Sequence, residues 1–178
     1  MEQKSLSEVQ IYTDEEGKKI VVLQDVKFKG KEKEEWDLIE DFLKEYVGKH
    51  YQIVETCEKV FIGKEFPDEF THGKDKIILK RANARAKANA SLVIGELIQI
   101  GANKSETEDY GGKHGKLAKN GWYRYDTRIA IPMYNDNKEV IRHNIYKLRI
   151  LVRHDEDGKL YLYDFLHTKK EKETCSPL

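Results

Sequence analysis

Three stretches in the C-terminal third of the chain hold residues that can handle a phosphate. They are WYRYDTRIAIPMY (122–134), VIRHNIYKLRILVRH (140–154) and LYLYDFLHTKK (160–170). Each alternates apolar and polar side chains, the pattern of a strand with one buried face. In the first, Tyr123, Tyr125, Ile129 and Ile131 share one face, and Arg124, Asp126 and Arg128 share the other. In the second, Tyr146, Leu148, Ile150 and Val152 oppose His143, Lys147, Arg149 and Arg153. In the third, Leu160, Leu162, Asp164 and Leu166 read as core, which leaves Tyr161, Tyr163, Phe165, His167 and Lys169 on the polar side. Pairing the strands gathers Arg124, Arg128, Lys147, Arg149, Tyr163 and His167 on one basic face.

Cations on such a face attract phosphates, and a tyrosine can stack on a base. A histidine among arginines also suits RNA cleavage without a metal. One group takes the 2′-hydroxyl proton, another protonates the leaving oxygen, and cations stabilise the pentavalent phosphorane. The plain alternative is a solvated face on which Asp126 and other carboxylates pair with the arginines.

Further candidates lie upstream. His72, in EFTHGK beside Lys74, reads either as a general base or as a plain surface histidine. His114, in GGKHGK, sits among glycines whose amides can approach a phosphate. The spacing there matches neither a Walker motif nor a dinucleotide fingerprint. Glu55, Glu58 and Glu65 form no metal-ligand pattern with a histidine, so neither a metal nor a cofactor is expected.

The elements that must position these groups are legible from periodicity. VQIYT, KKIVVLQ and VKFKG read as short strands, an N-terminal arm over residues 1–30 that either stands apart or joins the main domain. Residues 31–47 form an amphipathic helix, with Trp36, Ile39, Phe42, Leu43 and Tyr46 at three- and four-residue spacings. HYQIVET and KVFIG pair as a hairpin around Cys57–Glu58. Residues 66–76 are a turn-rich connector with Pro67 and Asp68 at a helix start.

KRANARAKANA (80–90) alternates like a strand, yet alanine favours helix. The apolar spacing of SLVIGELIQIGA, which follows, extends one helix from about 79 to 101. At about 100° per residue, Ala82, Ala86 and Ala90 align with Val93, Leu97 and Ile100 as the buried arc. Arg81, Arg85 and Asn89 fall on the solvated side, and Asn83 and Lys87 flank the arc as candidate cleft-wall groups. The three C-terminal strands then form a meander, so the expected fold is α+β: N-terminal helices packed on a curved antiparallel sheet, over residues 31–178.

The composition fits a polar chain with a real core. Among 178 residues, 36% are charged and 39% hydrophobic, with 10 tyrosines, 6 phenylalanines and 2 tryptophans. Lys+Arg and Asp+Glu balance at 32 each, so any nucleic-acid site is local. No apolar run is long enough to span a membrane, and the N-terminus lacks a secretory h-region. Cys57 and Cys175 read as free thiols of a reducing cytoplasm.

One ordered set of segments resembles a known group. YVGKHYQIVET, VFIGKEFPDEFTH, ANARAKANA, KHGKLAKNGWYRYDTRIAIPMY and LVRHDEDGKLYLYDFLHTKKE, within residues 45–178, resemble domains of large polyvalent proteins of phages and conjugative elements. Some of those domains are grouped with the barnase–EndoU–colicin–RelE-like nuclease superfamily. The resemblance implies helices followed by a curved antiparallel sheet whose concave face carries an RNase site. The matching positions that it points to are His72, Asn83, Lys87, Arg124, Arg128 and His167. It also leads one to expect a small hydroxyl residue after His72, where this chain has Gly73. Two readings follow. One is a metal-independent endoribonuclease-like domain of a mobile genetic element, toxic to its host and paired with an immunity protein. The other is a binding module without catalysis that binds nucleic acid or, as an anti-defence inhibitor, a host defence protein.

Overall fold

The structure is a computed structural model and describes residues 9–107 and 118–178. His114 and the glycines around it lie outside the described residues.

The meander forms as its alternation dictates. It comprises β6 (Trp122–Tyr134), β7 (Val140–His154) and β8 (Leu160–Glu173). β6 and β7 pair in register from Trp122↔Arg153 to Met133↔Arg142, which sets Tyr125 opposite Ile150 and Ile129 opposite Tyr146 on the core face. Burial of each such side chain stabilises the fold by roughly 1.5–3 kcal/mol.

Around the meander grows a larger sheet than the alternation predicts. β1 (Gln10–Thr13) and β2 (Lys19–Val22) form a hairpin, and β2 runs parallel to β6 at Val21↔Ile129. β3 (His50–Ile53) and β4 (Glu58–Ile62) form another, and β4 runs parallel to β8 at Val60↔Leu160. β5 (Ala102–Thr107) pairs with the start of β6. The eight strands follow the order β1-β2-β6-β7-β8-β4-β3, with β5 beside β6. The fold is therefore α+β with a mixed sheet rather than a purely antiparallel one. β2 lies inside that sheet, and Val21 and Leu23 belong to its core. VKFKG is not a strand.

The helices lie between β2 and β5 in the chain. α1 (Lys33–Lys44) buries Trp36, Ile39 and Leu43, as its spacing predicts. The connector forms two short helices, α2 (Phe66–His72) and α3 (Lys74–Ile78). Gly73 joins them at very close range: a Cβ there would lie 2.3 Å from the Glu69 carbonyl oxygen. A hydroxyl residue does not fit this junction.

The alanine segment is α4 (Arg81–Ala90), and the single long helix is corrected to two. A 3₁₀ turn at Ser91–Val93 intervenes before α5 (Ile94–Gln99), and Ser91 Oγ donates to the Ala88 carbonyl at 2.6 Å. Serine back-bonding of this kind competes with helix propagation. The buried set also differs from the expected arc. Ala84, Ala86, Ala88 and Ala90 are buried together with Lys87 and Asn89, whereas Ala82 is exposed. A wheel with one buried side presumes one neighbour, and α4 has two. The sheet lies on one side, and residues 27–30 cross the other. Asn89 Oδ1 accepts from the Lys27 and Phe28 amides, and its Nδ2 donates to the Phe28 and Arg85 carbonyls. At the crossing, Gly30 has φ +74°, and a Cβ on it would sit 2.7 Å from the Arg85 backbone. The alanines keep the helix thin enough to be covered on both sides.

Candidate nucleic-acid interface

Three register shifts in β8, the last of them at Glu171, decide which side chains reach the polar face. Leu162 pairs with Val152 but Asp164 pairs with Leu151, so the strand gains a residue at Tyr163. A bulge shifts the alternation by one place. Phe165, expected on the polar side, is therefore fully buried in the main core. Leu166, expected in the core, instead joins Trp122, Leu151 and Tyr163 in a small apolar cluster on the other face. A second shift, between Lys147↔Lys169 and Arg149↔Leu166, falls at His167, whose φ is +56°. Its side chain is exposed, and its backbone N–H donates to Asp75 Oδ1 at 2.8 Å.

The polar face holds two groups of predicted residues rather than one. At one end are Arg128, Lys147 and Arg149. Two adjoining cavities there, of about 330 and 280 Å³, share Lys18, Asn103, Asp126, Thr127 and Arg128. Arg128 is mostly buried and ion-paired at 2.9 Å to both Asp14 and Glu171. Burial alone would weaken its charge, but these two carboxylates outweigh burial and raise its pKa. Asp14 is held below the usual carboxylate range, chiefly by its hydrogen bond from Arg128. Arg128 thus ties the β1–β2 turn to β8, and its guanidinium is already committed. Arg149 and Lys147 are looser: Arg149 stands 3.5 Å from Asp126, and Lys147 stands 3.9 Å from Glu171. The pairing of Asp126 with Arg149 is the solvated arrangement that the sequence left open.

At the other end is a cavity of about 500 Å³ where α2 and α3 pass the edge of β8. The helices contribute Glu69, His72, Lys74 and Ile77, and the sheet contributes Trp122, Arg124, Leu151, Tyr163 and Leu166. Three predicted residues from distant segments, His72, Arg124 and Tyr163, thus line one space. Arg124 Nη1 donates to Thr107 Oγ1. The Tyr163 ring meets Trp122 edge-on, with centroids 5.1 Å apart. Burial and the neighbouring Glu69 carboxylate push the Tyr163 hydroxyl up to about 12.

His72 is committed to groups other than those of the polar face. His72 Nε2 lies 2.9 Å from Asp37 Oδ1, and Nδ1 lies 2.8 Å from Thr71 Oγ1 and 3.2 Å from Glu40 Oε2. Both ring nitrogens therefore face groups outside the cavity lining, and neither is free to act as a general base. His167 is the member of the predicted set whose ring no described group bonds. Asn83 is half-buried on α4 and is not among the cavity-lining residues, and His143 is buried at the far end of β7.

Lys87 is the largest correction. Expected at a cleft wall, it is fully buried, donating to Asp75 at 2.9 Å and Asp164 at 3.0 Å. Its ammonium also lies 4.9 Å from the Phe70 ring centroid. Both aspartates line the large cavity, with Lys87 bound to them. Burial drives Asp164 up to about 7, against the downward pull of Lys87. The clue was available, since an aspartate assigned to a core face needs a buried cation. Trp122 was also within reach, two places before Arg124 and on its side of the strand.

Cys57 and Cys175 are exposed free thiols. Among the described residues, no helix is long and apolar enough to cross a membrane. Comparison with protein-family models, curated proteins and solved structures finds no match.

Proposed function

We propose that the chain is a nuclease-like, RNA-binding domain of a mobile genetic element, acting in the cytoplasm. RNA lies on the polar face of β6–β8, with its phosphates on Arg149, Lys147 and Arg124 and a base beside Tyr163. The observation that carries this reading is the convergence of Tyr163 on β8 with Arg124 on β6 in the lining of one cavity. A cationic rim beside an aromatic wall is the pairing that single-stranded RNA uses, since phosphate contacts supply affinity and ring stacking is tolerant of sequence.

Metal-independent transesterification is the catalytic form of the reading. Arg124 would stabilise the phosphorane, His167 would take the 2′-hydroxyl proton, and solvent water would protonate the leaving 5′ oxygen. Binding without cleavage, to RNA or to a host defence protein, is the second form. The commitment of His72 to Asp37 and Glu40, and of Arg128 to Asp14 and Glu171, favours it.

The test incubates the protein with total and transfer RNA in EDTA, and measures anisotropy with labelled single strands. Arg124→Ala, Arg149→Ala and His167→Ala variants run alongside. Expected is salt-sensitive binding that weakens at least about fivefold in Arg124→Ala, on the scale of one lost charged phosphate contact. Products ending in 2′,3′-cyclic phosphate that vanish in His167→Ala identify the catalytic form. Binding without products identifies the second form. Wild-type protein that neither binds nor cuts RNA removes the RNA reading.

A further inference from the structure

We propose that Asp37, Glu40 and His72 form a binding site for a first-row divalent metal ion of the zinc class, with His72 Nε2 as the nitrogen ligand. The site lies where α1 and α2 pack together. Asp37 and Glu40 are three apart on α1, so their carboxylates leave the same side of the helix. His72 meets them from the last turn of α2. One ligand atom from each of the three lies within 4.8 Å of the others. Metal–ligand bonds of about 2.0–2.2 Å in a tetrahedron place ligand atoms about 3.3–3.6 Å apart. Asp37 already stands at Nε2, whereas the Glu40 carboxylate, 3.2 Å from Nδ1, swings toward Nε2 to complete the set.

The tautomer of His72 supplies a separate reason for a cation. Thr71 is fully buried, and its hydroxyl donates to the Pro67 carbonyl at 2.7 Å. Its oxygen is then left as an acceptor, and it faces His72 Nδ1 at 2.8 Å. Nδ1 therefore carries the ring proton, and the Nε2 lone pair points at the Asp37 carboxylate, 2.9 Å away. Two lone pairs at that distance need a cation between them, either a proton or a metal ion. This arrangement, in which the second nitrogen of an imidazole is pinned by a hydrogen bond, is the one that orients metal-ligating histidines.

The local charge favours the divalent ion. Asp37 and Glu40 face the ring, and Asp68 stands 3.6 Å from Nδ1. Lys44 is 3.8 Å from Glu40 and is shared with Asp41. A proton on Nε2 brings one positive charge to three carboxylates, whereas a divalent ion brings two. One imidazole and two carboxylates suit zinc, cobalt or manganese better than calcium. Three protein ligands leave a position for water.

The experiment titrates Zn²⁺ into the full chain by calorimetry near pH 7, in two buffers of different ionisation enthalpy. Expected is one ion per chain, with the same stoichiometry in both buffers. His72→Gln and Asp37→Asn should each weaken binding at least about tenfold. Asp37 is half-exposed, so its variant keeps the readout alive if His72→Gln fails to fold. Thr71→Val keeps all three ligands but frees the ring, and should weaken binding about 10–100-fold. Co²⁺ should give d–d bands without thiolate charge-transfer bands, which separates this site from Cys57 and Cys175. The proposal is overturned if wild-type protein binds no stoichiometric ion, if His72→Gln and Asp37→Asn bind as tightly as wild type, or if thiolate bands appear. RNA takes no part in this readout, so its outcome is separate from that of the RNA reading.

Discussion

Lys87 and Arg149 are both cations set against carboxylates, and their surroundings give them opposite roles. Lys87 has no exposed surface and sits 2.9 and 3.0 Å from two aspartates that are themselves almost fully buried. Arg149 is 46% exposed and stands 3.5 Å from Asp126, which is 49% exposed. In the dry setting a charge cannot exchange its partner for water, so the pairing fixes the packing of α3, α4 and β8. In the wet setting water and salt screen the pair, and a phosphate can replace the carboxylate at small cost. Arg128 lies between these limits. It stands on the same face as Arg149, but Asp14 and Glu171 close on it and turn it into a strut. Basic residues on this face are thus available to a ligand in proportion to their exposure, and Arg149 and Lys147 head that order.

The largest way to break the comparison is Lys87→Met. Methionine fills much the same space but leaves Asp75 and Asp164 without their cation. Removing one member of a buried ion set costs about 3–5 kcal/mol. Urea unfolding at neutral pH should therefore show a midpoint far below wild type. The deficit should shrink in acid, because protonated aspartates no longer need a counter-charge. A variant as stable as wild type at neutral pH would mean that the triad does not hold the fold together.

A second, smaller test isolates Asp164. Burial raises its folded pKa from 3.8 to about 7, more than Lys87 lowers it. Between those values the native state keeps a proton that the unfolded chain has released. Stability from this group is therefore fully present below about pH 4 and lost as pH rises through about 7, with a limiting slope of about 1.4 kcal/mol per pH unit. Asp164→Asn cannot titrate, and its amide oxygen still accepts from Lys87. Its stability profile should lack that slope, as measured by urea midpoints at intervals from pH 4 to 8. Parallel profiles for the two proteins would show that Asp164 does not carry the proton.

These charges also mark where the sequence was legible. The core faces of β6 and β7 follow from strict alternation, because both strands keep their register along almost their whole length. α1 follows for the same reason at helical spacing. Alternation fails at Phe165 and Leu166 because a bulge is a choice of the pairing strands, and neither Tyr163 nor His167 announces one by its type. It fails at Lys87 and Asn89 because burial on α4 is set by residues 27–30 and by β8, which are remote in the chain. Of the candidate site, His72, Arg124 and Tyr163 were found by residue type and do line one cavity. What residue type could not supply was the orientation of the imidazole, which depends on Asp37 and Glu40 of another helix.

The smallest expected effect sharpens the contrast most. Arg149→Ala removes an exposed pair worth no more than about 0.5–1 kcal/mol, so its urea midpoint should lie close to wild type. Asp126→Asn should be equally mild. Their effects on RNA should nevertheless run in opposite directions. Loss of Arg149 removes a phosphate contact and lowers the dependence of affinity on salt by close to one ion. Loss of the Asp126 charge frees Arg149 from its competitor and should tighten binding modestly, about two- to threefold. Anisotropy titrations of both variants at several salt concentrations make the comparison. If Arg149→Ala unfolds easily while RNA affinity stays put, Arg149 belongs with Lys87 as a packing charge, and the polar face of β6–β8 is not where the ligand lies.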